Sequence, residues 1–80
     1  MYNRYSFTKK IYPKYLVIIQ RKNKYFSFGN DLLILNSINF NNKIEILNDK
    51  KINYLILDNL DIIDIRDYID NQYYRYLDYV

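Results

Sequence analysis

Apolar and polar residues fall in short blocks along this chain, and each block predicts an element. Tyr15-Leu16-Val17-Ile18-Ile19 is continuously apolar and rich in β-branched residues, the pattern of a central strand covered on both faces. Ahead of it, Ser6–Tyr12 reads as a short helix or turn that stops before Pro13, because the residue preceding a proline is steered away from the α region. After it come a polar break, Arg21-Lys22-Asn23, and a second, aromatic strand, Lys24-Tyr25-Phe26-Ser27-Phe28. Two strands joined so tightly predict a hairpin, which Gly29 ends.

Asn30 or Asp31 can cap a short helix through Leu32, Leu33, Leu35 and Ile38, although the run Leu32–Leu35 also fits a strand. Lys43–Leu47 places Ile44 and Ile46 at alternating positions, Asn48-Asp49-Lys50 has turn chemistry, and Ile52–Leu57 is again strand-like. These predict a second hairpin. In the last stretch, Ile62, Ile65, Ile69, Tyr73, Tyr76 and Val80 fall on a stripe about 80° wide when plotted at helical spacing. Asp64, Asp67, Asn71, Arg75 and Asp78 take the opposite side, Asp61 stands as the N-cap, and Leu60 and Ile65 occupy the two positions of a hydrophobic staple. This predicts an amphipathic helix of about five turns.

The expected fold class is α+β, in a single domain spanning residues 1–80. Two β-hairpins form a small, mainly antiparallel sheet, with a short middle helix and a long amphipathic C-terminal helix packed on it. A half-apolar composition supplies a core and argues against disorder.

Composition then limits the chemistry. The chain has no Cys and no His, which removes disulfides, thiol catalysis and the commonest zinc sites. A hydrolase needs a nucleophile beside a base, and the usual pairs cannot be built without these residues. A single glycine cannot make a phosphate-cradling loop. Glu45 is the only glutamate, and Leu47 stands where a metal-dependent nuclease commonly has a lysine. Asp58, Asp61, Asp64, Asp67 and Asp70 recur every three residues, so on a helix they wind around the axis and do not converge on one ion. No catalytic residue, metal or cofactor is expected. No apolar run approaches the ~20 residues of a membrane span, and the first residues lack the apolar stretch of a secretory signal, which points to the cytoplasm, including that of a host cell.

Charge is distributed unevenly. Residues 1–30 carry seven basic side chains and no acid, whereas residues 31–80 carry five basic and nine acidic ones. Such polarity concerns partners rather than fold. Arg21, Lys22 and Lys24 at the hairpin tip, with Lys9, Lys10 and Lys14 behind them, are the candidate nucleic-acid contacts, since cations interleaved with aromatic rings can follow phosphates and stack on bases. The same residues would equally suit a solvated surface over an aromatic core. A second candidate surface is a protein interface of Tyr68, Tyr74 and Tyr79 with the carboxylates of Asp64, Asp67 and Asp78, which would imitate a phosphate backbone. Its bland counterpart is a solvated helix surface.

The segment Tyr12–Asp31, YPKYLVIIQRKNKYFSFGND, resembles the N-terminal mismatch-recognition domain of the MutS family. Pro13, Leu16, Tyr25, Phe28 and Asp31 coincide with typical family positions. The resemblance implies a mixed α/β domain that touches DNA through its hairpin. The family's base-stacking Phe falls on Lys24, its Glu on Phe26 and its turn glycine on Lys22, so mismatch recognition is not carried over.

The expected function is that of a small non-enzymatic binding protein acting on nucleic acid or on a nucleoprotein complex. One alternative is a phage- or mobile-element-encoded inhibitor of the anti-CRISPR or anti-restriction type, which blocks a host defence nuclease by binding it. Another is a homo-oligomeric structural module, a homodimer with the C-terminal helix as its seam.

Overall fold

The computed structural model describes residues 1–38, 43–59 and 61–77. In chain order the elements are α1 (Tyr2–Ile11), β1 (Leu16–Arg21), β2 (Lys24–Phe26), α2 (Gly29–Ser37), α3 (Lys43–Asp49), β3 (Tyr54–Asp58), β4 (Asp61–Arg66) and α4 (Tyr73–Leu77). The strands form one mixed sheet in the order β2-β1-β3-β4. β1 and β3 run parallel at its centre, with Leu16 beside Tyr54 and Ile19 beside Leu57, while β2 and β4 pair antiparallel on either side.

The continuously apolar strands are the central ones, as burial on two faces requires. Leu16 and Ile18 of β1 and Tyr54 and Ile56 of β3 point to a core shared with Ile34 and Leu35 of α2, Leu47 of α3 and Tyr73 of α4. Val17, Ile19, Leu55 and Leu57 point the other way, against Tyr5 of α1 with Tyr12, Tyr15 and Phe28 around it. The sheet therefore lies between α1 on one face and the remaining helices on the other.

Local chemistry sets the turns. Lys22 and Asn23 both take positive φ, 49° and 65°, between the paired residues Arg21 and Lys24. That is the two-residue turn whose twist matches a hairpin. α3 ends on a Schellman motif: Lys51 sits at φ 56°, its N–H donates to the Asn48 carbonyl, and Ile52 N–H reaches back to Leu47 O at 3.0 Å.

Two expected elements are different. Lys43–Leu47 is the start of a helix and not a strand, because Ile44, Ile46 and Leu47 pack together against the α2-side core. There is accordingly no hairpin between it and Ile52–Leu57. The second hairpin joins β3 to β4 instead, and the sheet is mixed rather than mainly antiparallel.

The long C-terminal helix is absent. The longest helix among the described residues is α1, with ten residues. Asp61 does not cap a helix but pairs with Asp58, and Asp61–Arg66 runs as an outer strand. Ile62 and Ile65 are 43% exposed and Ile69 is wholly exposed, so the predicted stripe does not bury there. The physical reason is twofold. Ile62, Ile63 and Ile65 are β-branched and favour strands, and β3 offers an edge whose backbone groups need partners. The helical spacing itself is reproduced by a bulge: the register shifts between Ile56 and Leu57, so Ile62 faces Leu57, Asp64 faces Ile56, and Ile63 is left over. Ile62 and Ile65, three residues apart, thus share the α1 side of the sheet.

Only the end of the stripe is helical. Tyr73 is buried in the core, and Asn71 Oδ1 caps its N–H at 3.0 Å. Buried Asn53 secures the segment before it, donating its backbone N–H to Asn71 and its side-chain amide to Asp67, and accepting from Tyr68 N–H. The expected roles of Leu60 and Val80 lie outside the described residues. No helix of the described residues is long and apolar enough to cross a membrane.

Candidate anion-binding site

Because β1 and β3 are parallel, their carboxyl ends lie at one end of the sheet. Arg21 closes β1 there and continues into the Lys22-Asn23 turn. α1 packs antiparallel to β1: Lys9 near its end reaches Tyr15 O, while Met1 and Arg4 at its start come beside Arg21. An open depression of about 700 Å³ results, lined by Met1, Arg21, Lys22, Lys24, Phe26, Asp58 and Asn59. A smaller adjoining hollow adds Arg4, Ile19 and Leu57.

Four cationic side chains, Arg4, Arg21, Lys22 and Lys24, face one carboxylate, Asp58, across these two hollows. The start of α1, which no side chain caps, adds its partial positive charge on the same side. Phe26 pairs with Ile19 and so stands on the α1 face, about one third exposed; Tyr25 is equally exposed on the opposite face. The site thus combines cations with one ring, Phe26, that is accessible from outside.

Of the expected contacts, the structure brings Arg21, Lys22 and Lys24 together and separates the rest. Lys10 lies in the last turn of α1 and Lys14 in the α1–β1 connection, both at the opposite end of the sheet. Lys9 is not a surface contact at all: its ammonium is folded inward onto Asp31. Arg4 joins the group although the sequence did not single it out. Its membership of the basic first thirty residues was visible, but only the antiparallel packing of α1 places it beside Arg21.

Asp31 is the most enclosed charged residue among the described residues, 1% exposed in the first turn of α2. Its carboxylate accepts from Tyr5 OH at 2.8 Å, from Val17 N–H at 3.2 Å, from the Tyr73 hydroxyl and from Lys9 Nζ at 3.0 Å. Lys9 also donates to Tyr73 OH at 2.6 Å. β2 stops short of Val17, so the outer N–H and C=O of that residue are taken up by Asp31 and by Ser27 Oγ at 2.6 Å. Burial, and then the Asp31 carboxylate, push the Tyr5 and Tyr73 hydroxyls well above the usual tyrosine range. Burial lowers Lys9 although Asp31 pulls it upward. Every partner of Asp31 belongs to the fold, so this cluster binds elements together; it offers no open position for a substrate.

The expected protein-interface residues make internal contacts. Asp64 accepts from Tyr54 OH at 3.3 Å, Asp67 from Asn53 Nδ2 at 3.0 Å, and Tyr68 donates to Asn48. Tyr74 is half exposed and stands edge-on to Tyr73. Tyr79 and Asp78 lie outside the described residues. Among the described residues, no three His, Cys, Asp or Glu side chains are placed to hold a metal ion.

No family model, no curated protein and no solved structure matches this chain.

Proposed function

We propose that the protein binds single-stranded nucleic acid, without catalysis, at the carboxyl end of the β1–β3 pair. The observation that carries this reading is the convergence of Arg4 from α1 with Arg21, Lys22 and Lys24 from the hairpin around one open depression. Cations held by two elements can follow successive phosphates, and the accessible ring of Phe26 can stack on bases of any identity. The depression is too open to enclose a small molecule. Of the acidic and tyrosine-bearing residues of the nuclease-inhibitor alternative, Asp64, Asp67 and Tyr68 are engaged in hydrogen bonds within the fold.

The test is anisotropy of a labelled oligothymidylate titrated with protein over a range of salt. Four phosphate contacts predict that log K falls against log salt with a slope of roughly −3 for a single strand. Arg21→Gln, Lys22→Gln and Lys24→Gln combined should weaken binding tenfold or more at low salt and flatten the slope. Lys10→Gln with Lys14→Gln should change binding far less. Absence of binding at low salt, or equal loss in both variants, overturns the reading.

A further inference from the structure

We infer that the bound strand continues from the carboxyl end of the sheet into a trough between α1 and β4, where Phe7 stacks on a further base. This rests on the nucleic-acid reading above and extends its site to a second hollow.

α1 lies over β1, and β4 stands two strands away, so a trough is left between the helix and the outer strand. Leu57 of β3 forms its floor, Phe7 and Ile11 of α1 one wall and Ile62 of β4 the other, around about 430 Å³. Arg4 and Leu57 line both this trough and the hollow beside Arg21, so the two spaces join. Arg4, Phe7 and Ile11, spaced three and four apart, share one flank of α1.

The bulge in β4 clears the trough of negative charge. In a regular strand Asp61 and Asp64, three residues apart, would point to opposite sides of the sheet, and one of them would stand in the trough. With Ile63 left over, Asp61 and Asp64 both fall on the α2 side, opposite Asp58 and Ile56. Ile62 and Ile65 take the α1 side, opposite Leu57 and Leu55. Among the described residues no carboxylate lines the trough.

Phe7 is 67% exposed and meets no other ring among the described residues. Its aromatic neighbours are already engaged: Tyr2 and Tyr5 lean on Phe28, and Tyr12 on Tyr15. Continuity with the cationic depression selects the same strand as occupant. A phosphate held by Arg4 brings the next base towards Phe7, about 4.5 Å further along the helix axis. A cation at the mouth, then a bare ring between apolar walls, is the arrangement by which single strands are held without regard to sequence. Phe26 and Phe7, both on the α1 face, would then stack on bases at the two ends of the path.

Anisotropy of labelled oligothymidylates of about 4 and about 12 nucleotides, at one low salt concentration, tests this. The shorter fills only the depression, and the longer should bind at least tenfold more tightly. Phe7→Ala should cost the longer oligomer about tenfold and leave the shorter unchanged. Phe7→Trp should retain the gain, and Ile62→Asp, which sets a carboxylate in the trough, should act as Phe7→Ala does. Phe7 and Ile62 are exposed, and unchanged affinity for the shorter oligomer shows that each variant is folded. Equal affinity for the two lengths, or a Phe7→Ala loss that is absent or the same for both, overturns the inference and leaves the depression standing. Binding of neither length overturns it together with the reading it rests on. A dimer in sedimentation, or binding to neutral phosphatidylcholine vesicles, that Phe7→Ala abolishes would assign the trough to a second copy or to lipid, and overturns it as well.

Discussion

Lys9 Nζ stands 3.0 Å from Oδ2 of Asp31, whose side chain is completely enclosed while that of the lysine keeps 24% of its surface in contact with solvent. The pair joins α1 on one face of the sheet to α2 on the other, past the end of the short strand β2. Tyr5 and Tyr73 close the cluster from the same two faces. A buried ion pair of this kind contributes little compared with an apolar replacement of both partners, but removing one partner leaves the other uncompensated.

Asp31→Ala should therefore destabilise the protein by roughly 3–5 kcal/mol in urea unfolding. Lys9→Met should cost less, about 1–3 kcal/mol, because two tyrosine hydroxyls and the Val17 N–H still satisfy the carboxylate. The double substitution should fall short of the sum. Additive losses would show that the two residues do not act on one another.

Tyr5 and Tyr73 make stability depend on alkaline pH. Their folded values are raised by burial and by Asp31, so above about pH 10 the unfolded chain loses these protons while the folded chain keeps them. Stability is fully present below that pH and falls above it, with a limiting slope of about 2.7 kcal/mol per pH unit for two protons. Lys9, lowered by burial, acts in the opposite sense between its folded and unfolded values and adds no pH dependence above them. Tyrosinate absorbance should show at least these two tyrosines, Tyr5 and Tyr73, ionising only as the fold is lost. Early titration of all eleven would contradict the buried cluster.

Gly29 opens α2 with φ +57°, and a Cβ there would meet no atom within 4 Å. Gly29→Ala should cost only the backbone strain, about 1–2 kcal/mol, with no packing penalty. Gly29→Asn should cost less, because Asn tolerates this region. A loss well above that range in thermal unfolding would mean that side-chain space, and not φ, limits this position.

Ile69 and Ile56 separate the two arrangements of the C-terminal third. Ile69→Asp should be silent within about 0.5 kcal/mol, since the side chain is wholly exposed. Ile56→Ala, in the centre of β3, should cost about 2–5 kcal/mol. In a helix packed along its isoleucine stripe the first substitution would be severe, so denaturation midpoints of the two variants decide between them.

The sequence by itself determined the local events whose energies are local. The apolar run before Arg21 reads as a strand covered on both faces and the polar break after it as a hairpin turn, whereas the run Leu32–Leu35 fits helix or strand and becomes α2 in the fold. Arg21, Lys22 and Lys24 of the hairpin tip were legible as a group for the same reason, being close in sequence.

Tertiary structure decided the rest, because it turned on partners distant in the chain. Asp61–Arg66 carries a helical period and strand-forming residues together, and the open edge of β3 settled the conflict in favour of a bulged strand. Ile44, Ile46 and Leu47 served a helix because a core lay beneath them. Lys9 became an internal counter-ion and Arg4 a surface cation only when α1 folded back along β1. Side-chain type shows which interactions a residue can make; which of them it makes depends on what the fold brings within about 3 Å of it.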